Sequence, residues 1–273
     1  MCIKEYGRGI YKSDGMNQMG QILALALQSM QHDMKRVERI GVNLANATTP
    51  GYKREMVIER PFSDMVAAQI SSANFPDIDN SAIGLEVIND QRIGTLKPTG
   101  QKLDIALTSI GFFQVATANG PAYTRQGNFQ VDARGRLVTL QGDPVMGKNG
   151  EIILTSNQPR IDGSGRIFDA SQKQDGVSMS DGSTAQLKIV HFDKVNPSQK
   201  NQYGMFVVDE DVVASEVKNP QVLQGYLENS NVSSMEEMVH LMQTMRHFES
   251  MQKVAQGYDD MMGTAIRRLG ETS

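Results

Sequence analysis

Two long heptad stripes, one towards each end of the chain, constrain its fold more than any other feature. The first fills roughly residues 20–45 and places Leu23, Leu27, Met30, Met34, Val37, Gly41 and Leu44 at alternating steps of 4 and 3. Apolar side chains at that spacing share one face of a helix and make helices wind about one another. Ala26, Asp33 and Ile40 flank this stripe, and Gln31, Lys35, Arg36, Glu38 and Arg39 supply the polar side. The second fills roughly residues 234–269 and runs through Met238, Leu241, Met245, Phe248, Met251, Ala255, Tyr258, Met262, Ala265 and Leu269. One additional step of 3 interrupts its heptad, so local overwinding is expected there. At about 1.5 Å per residue the helices would be roughly 40 and 54 Å long. Periodicity alone is equally compatible with an ordinary helical hairpin.

The ends of the second stripe carry helix signals. Ser233-Ser234-Met235-Glu236-Glu237 offers a capping box through Ser233 and Glu236 or Ser234 and Glu237. Arg267 and Arg268 would sit in the last turn, where cations suit the helix dipole, and Gly270 is a C-terminal stop.

With 273 residues the chain can build one or two domains with a real core. Charged residues are 21% and the net charge is −4, which argues against nucleic-acid binding. The segment from Met235 to Met262 is rich in methionine, whose adaptable side chain packs against non-identical neighbours. Cys2 is the single cysteine, so no internal disulfide forms. The apolar run Ile22–Leu27 is too short to span a bilayer and is a poor match to a signal-peptide core. Any export is therefore expected to need no cleaved signal.

Residues 1–15 lack apolar period and are expected to be a disordered tail or an upstream extension. Residues 16–65 form the N-terminal helix and a following loop segment, 66–84 a linker, 85–220 a central β domain, and 221–273 a C-terminal segment with the long helix. Pro50 pushes Thr49 out of the helical region, and Gly51 permits the sharp turn that follows. Short strand candidates fill the middle: Leu103–Leu107, Phe112–Val115, Phe129–Val131, Leu137–Leu140, Ile152–Leu154, Ile167–Phe168, Leu187–Phe192 and Met205–Val208. Turn signals at Asn119-Gly120, Arg134-Gly135, Gly142-Asp143-Pro144, Asn149-Gly150, Asp162-Gly163 and Asp181-Gly182 divide them. No helical period interrupts this region, which favours antiparallel pairing. The expected fold class is α+β, with terminal helices paired as a coiled coil and an all-β antiparallel central domain.

A catalytic set is not legible. Gly142-Asp143-Pro144-Val145-Met146-Gly147-Lys148-Asn149 has phosphate-loop spacing, but Asn149 replaces the magnesium-binding hydroxyl and a strand-like segment follows where a helix should. Two consecutive turns explain it better. His32, His191, His240 and His247 show no helical zinc spacing. Asp259-Asp260 and Asp209-Glu210-Asp211 read as solvated acidic faces. No enzyme activity, cofactor, metal or small-molecule substrate is expected. A carbohydrate-active enzyme would need paired carboxylates in a cleft, and a free-standing coiled-coil adaptor would stop at a dimer.

The segment Asn43-Leu44-Ala45-Asn46-Ala47-Thr48-Thr49-Pro50-Gly51-Tyr52-Lys53 resembles the N-terminal signature of the bacterial flagellar rod and hook proteins. Gly225-Tyr226-Leu227-Glu228-Asn229-Ser230-Asn231-Val232, followed by Glu237, Met242 and Arg246-His247-Phe248-Glu249, resembles their C-terminal signature. Leu103-Asp104-Ile105-Ala106-Leu107, Gly111-Phe112-Phe113 and Tyr123-Thr124-Arg125-Gln126-Gly127-Asn128-Phe129 are similar to their central stretch. The compact middle and Phe248 resemble proximal rod members most, with distal rod members as the runner-up because these usually carry Tyr at the position of Phe248. The family's members usually begin near Met16. The resemblance implies a structural subunit whose paired terminal helices form the inner tube of an axial assembly. Ordering about 30 residues costs more than burying about eight apolar side chains along one seam returns, so the terminal helices are expected to be largely disordered in the free monomer. The resemblance also implies export through the flagellar type III apparatus, a periplasmic place in the basal-body rod, other rod subunits as partners, and torque transmission from motor to hook. The assembly signature is then Asn43, Leu44, Ala45, Asn46, Thr49, Pro50, Gly51, Tyr52, Gly225, Leu227, Glu228, Ser230, Asn231 and Val232. Gly51→Val is expected to block assembly while leaving the β domain folded.

Overall fold

The computed structural model describes residues 10–59, 85–156, 158–168, 185–192, 199–200, 204–207 and 214–270. The expected linker at 66–84 and the first nine residues of the expected tail lie outside them. Two long helices stand near the ends: α1, Ile10–Ala45, and α2, Ser234–Gly270. Helix α1 starts ahead of Met16, so its first turns take in part of the expected tail. It ends where Asn46, Thr48, Thr49 and Pro50 favour turn over helix. Helix α2 carries Glu236 and Glu237 in its first turn and Arg267 and Arg268 in its last, charges that complement the dipole at both ends.

The chain divides into two compact units, Met1–Val42 with Ser234–Ser273, and Asn43–Ser233. Within the helical unit, the covered faces are phased differently from the apolar stripes. Among the described side chains of α1 up to Val42, the deepest are Ala26, Asp33 and Ile40, while Leu27 and Met34 are 50% and 62% exposed. Leu23, Met30 and Val37 are half-buried, as is Leu44 beyond the unit boundary. In α2 the covered line runs Glu237, Leu241, Thr244, Phe248, Met251, Ala255, Tyr258 and Met262, with unbroken steps of 4 and 3. Met238 and Met245 stand outside it, and the side chains of Ala265 and Leu269 lie outside the described set. The covered line therefore needs no overwinding of the kind expected from the extra step of 3. The shift has a physical cause: polar residues can occupy a covered position once their hydrogen bonds are satisfied. Thr244 donates its hydroxyl to the His240 carbonyl at 2.9 Å. The Asp33 carboxylate, 2% exposed, lies 2.6 Å from Nδ1 of His247 and so links α1 to α2.

The second unit is built from short strands: β1 Glu55–Glu59, β2 Leu85–Asn89, β3 Leu96–Pro98, β4 Ile105–Leu107, β5 Phe112–Thr117, β6 Gly120–Thr124, β7 Gln130–Val131, β8 Leu137–Val138, β9 Met146–Gly147, β10 Gly150–Glu151, β11 Arg160–Ile161, β12 Arg166–Phe168, β13 Ala185–Gln186, β14 Ile189–His191, β15 Gln199–Lys200, β16 Phe206–Val207, β17 Ser215–Glu216, β18 Val222–Gln224 and β19 Tyr226–Glu228. Every pairing among them is antiparallel. Strands therefore occur on both sides of the expected 85–220 range. The largest sheet has the order β15-β16-β6-β5-β14-β17. Strand periodicity sends neighbouring side chains to opposite faces, and Phe112 and Phe113 show it. Phe113 joins the main core with Ile105, Leu107, Val115, Leu137, Ile152, Ile167, Leu187 and Met205. Phe112 joins Tyr123, Val190, Phe192 and Phe206 in a second cluster.

Two hairpins repeat one turn design. Asp132-Ala133-Arg134-Gly135-Arg136 links β7 to β8, and Asp162-Gly163-Ser164-Gly165-Arg166 links β11 to β12. In each, one aspartate oxygen accepts the backbone N–H groups two and four residues on, and the other accepts the arginine Nε. Gly135 and Gly165 have φ of 80° and 74°, as the turn requires. The Gly142–Asn149 segment is also strand and turn: β9 and β10 flank Lys148-Asn149, leaving no helix N-terminus to hold a phosphate.

A buried charged staple joining the signature segments

The segment opening the second unit is anchored by one asparagine. Asn43 is 1% exposed; its Oδ1 accepts the Glu55 N–H at 2.8 Å and the Tyr52 hydroxyl at 3.1 Å, and its Nδ2 donates to the Glu55 carbonyl at 2.8 Å. Between these contacts the chain turns. The Thr49 hydroxyl bonds Asn46 Oδ1 at 3.1 Å, and Tyr52 N–H bonds the Thr49 carbonyl at 3.3 Å. Gly51 has φ of 68° and donates its N–H to the Glu228 carbonyl at 2.7 Å. A Cβ on Gly51 would lie 2.5 Å from the Arg125 carbonyl carbon. The glycine is thus required twice, for its conformation and for close backbone approach.

Glu228 is the centre of the site. It is 2% exposed, at the end of β19, and each carboxylate oxygen meets a buried cation. Lys53 Nζ lies 2.7 Å from Oε1 and Arg125 Nε 2.5 Å from Oε2. Gly94 N–H adds a bond to Oε1 at 2.9 Å. The cations are satisfied elsewhere too: Lys53 donates to the Arg92 carbonyl at 2.7 Å, and Arg125 donates to the Leu107 carbonyl at 3.0 Å and to the Gly111 carbonyl. A carboxylate between two cations, with a backbone N–H added on one oxygen, is the arrangement in which buried charge is tolerated. Burial pulls the Lys53 ammonium below the usual lysine range, against the opposing pull of Glu228. Burial pushes the neighbouring Asp90 carboxyl up, but hydrogen bonds from Arg92 outweigh it and leave the group below its ordinary value.

Asn231 adds a second stitch. Its Oδ1 accepts the Arg54 N–H at 2.7 Å, and its Nδ2 donates to the carbonyls of Asp90 and Arg92 at 2.9 and 3.1 Å. Gly225, with φ of 82°, donates to the Asp104 carbonyl at 2.7 Å and accepts from Thr99 and Gly100. Ser230 accepts the Val232 N–H at 3.2 Å. Leu44, Asn46, Thr49, Pro50, Leu227, Ser230 and Val232 are half-buried, and Ala45 is exposed.

The structure therefore brings Asn43, Gly51 and Tyr52 together with Glu228 and Asn231. It also shows two members that the sequence search left out of the site, Lys53 and Arg125. Both were visible inside signature segments, but a charge in a sequence does not reveal whether it is solvated or buried. What the arrangement does chemically is hold: it ties three segments far apart in sequence into one rigid junction. Among the described residues, no group of three or more His, Cys, Asp or Glu could hold a metal ion, and no helix is long and apolar enough to cross a membrane.

Comparison with known proteins agrees with this architecture. Residues 106–177 match the family described as flagellar hook protein FlgE/F/G D1 domain, and residues 223–268 match the flagellar basal body rod FlgEFG protein C-terminal family. The flagellar basal-body rod protein FlgG of Buchnera aphidicola subsp. Acyrthosiphon pisum is 32% identical over 82% of this chain and 90% of its own length. FlgF of Escherichia coli is 30% identical over 83% of this chain and 89% of its own length. FlgF of Caulobacter vibrioides is 26% identical over 93% of this chain and 99% of its own length. Matched over most of its length by both kinds of rod protein, the chain belongs to the flagellar basal-body rod protein family.

Proposed function

We propose that this chain is a proximal, FlgF-like subunit of the rod, polymerising through its two terminal helices and carrying torque from motor to hook. The carrying observation is the apolar surface left open on both helices. Leu25, Leu27 and Met34 on α1, and Met235, Met238, Val239, Met242 and Met245 on α2, are between 42% and 80% exposed. Helices that keep so much apolar surface after covering one face have a second face to bury. Paired helices, wound as a coiled coil, would use that face against like helices of neighbouring rod subunits. The buried staple of Lys53, Arg125 and Glu228 suits torque transmission because it resists deformation of the junction between signature segments. Export through the type III apparatus without a cleaved signal, and a periplasmic position, complete the reading.

A distal, FlgG-like place is the second reading, favoured by the 32% identity to the Buchnera FlgG. The Phe at position 248 supports the proximal one. The test is deletion of the gene followed by electron microscopy of isolated basal bodies. A rod truncated near its base is expected for a proximal subunit, and a rod lacking only its distal part for a distal one. Complete rods and normal motility would refute both.

A further inference from the structure

Four of the exposed methionines of α2 fall in helical register. Met235, Met238, Met242 and Met245 follow steps of 3, 4 and 3, and are 80%, 51%, 56% and 43% exposed. At 3.6 residues per turn they form a stripe about 100° around the helix from the covered line. The same chain contains an internal contrast: Met205 is fully buried in the β core, and Met251 and Met262 sit on the covered line of α2. Four accessible sulfurs thus share one face near the N-terminal end of α2, while Met261, 60% exposed, stands alone towards its C-terminal end.

We propose that Met235, Met238, Met242 and Met245 are a redox-modification site that controls whether a free subunit can assemble. The proposal rests on the reading that the open helical face is buried between subunits. The oxidant is of the peroxide class. Its O–O bond breaks, one oxygen forms the S–O bond of a methionine sulfoxide, and the other leaves as water after a proton shift between the two oxygens. The thioether sulfur loses two electrons and the peroxide gains them. Each event replaces a flexible apolar group by a polar, chiral one. A sulfoxide oxygen on a face that must become dry opposes burial unless it finds a donor, and its neighbours on the stripe are apolar. Assembled subunits would be shielded by the contact itself, so the modification acts on subunits not yet placed. Methionine at these positions thus combines adaptable packing with a chemical route to lose it, which leucine would lack.

The test treats purified full-length protein with hydrogen peroxide, maps sulfoxides by peptide mass spectrometry, and follows polymerisation by sedimentation with and without other rod subunits. The stripe sulfurs are expected to oxidise before Met205, and assembly to fall about tenfold or more because unpaired polar oxygens resist burial. The variant M235L/M238L/M242L/M245L, which conserves volume and apolarity, is expected to assemble and to lose far less assembly than wild type after peroxide, the remaining loss coming from the exposed Met34 and Met261. Methionine sulfoxide reductases should restore the wild-type protein. Oxidised wild type that assembles normally would overturn the site, as would equal loss in the leucine variant. Untreated wild type that fails to polymerise under every condition would instead overturn the assembly reading on which the site rests.

Discussion

At the scale of single residues, Glu228 carries the most consequence. Its carboxylate is the common partner of two buried cations, so replacing it leaves both without their counter-charge. Glu228→Gln is expected to destabilise the β unit by about 3–5 kcal/mol, the usual cost of breaking a buried ion pair on one side. Denaturant unfolding measures it, and adding Lys53→Met to Glu228→Gln should recover part of the loss, the coupling a double-mutant cycle reports. Gly51 is the second such residue. The expectation that Gly51→Val would spare the β domain does not survive the geometry, because a Cβ there meets the Arg125 backbone at 2.5 Å. Even Gly51→Ala should cost more than about 1 kcal/mol, since alanine is strained at positive φ and crowded as well. Gly142 is the control: its φ is 92°, yet nothing lies within 4 Å of its Cβ position. Gly142→Ala should lower the melting temperature less than Gly51→Ala, and an equal effect would refute the close-approach argument.

At the scale of elements, the repeated aspartate turn governs behaviour in acid. Burial raises the Asp162 carboxyl, but bonds from the Ser164 hydroxyl and from the Arg166 and Ser164 backbone prevail and hold it below its ordinary range. A carboxyl lowered by folding adds stability above its unfolded value of about 3.9, and that stability is lost as the pH falls through the folded value. The β unit is therefore expected to weaken below about pH 4. Asp162→Asn should be less stable at neutral pH and show a shallower decline in acid, read as denaturant midpoint against pH. An unchanged decline would remove Asp162 from the account. The helices teach a different lesson about legibility. Choosing the most apolar residue at each turn selected Met238 and Met245, whereas the covered line takes Glu237 and Thr244. Apolarity reports which residues prefer burial; it does not report which polar residues have found partners that permit it.

At the scale of the whole chain, the two compact units divide the work. Both hydrophobic clusters and all members of the charged staple belong to Asn43–Ser233. A fragment comprising residues 43–233 is therefore expected to fold and to keep the denaturant midpoint that the β transition shows in the full chain. Loss of its near-ultraviolet circular dichroism, with the full chain intact, would show that the β unit depends on the helices. The open apolar stripes belong to the other unit, so the fragment should also fail to polymerise. On the proposed reading, stability and assembly are carried by different parts of one chain.

The helical ends, the antiparallel β middle, the turns among the described residues and the rod family were readable from residue order, while the turn expected at Asp181-Gly182 lies outside the described residues. Each depends on local periodicity, on the conformations of glycine and proline, or on contiguous signatures, all of which persist in a linear string. The phase of the covered helix faces, the pairing of Asp33 with His247 and the convergence of Lys53, Arg125 and Glu228 were not readable. These depend on which polar groups meet, and the partners of Glu228 lie 175 and 103 residues away. Burial of a charge is a property of everything packed around it, so only the folded chain decides whether a lysine in a signature is solvated or stapled.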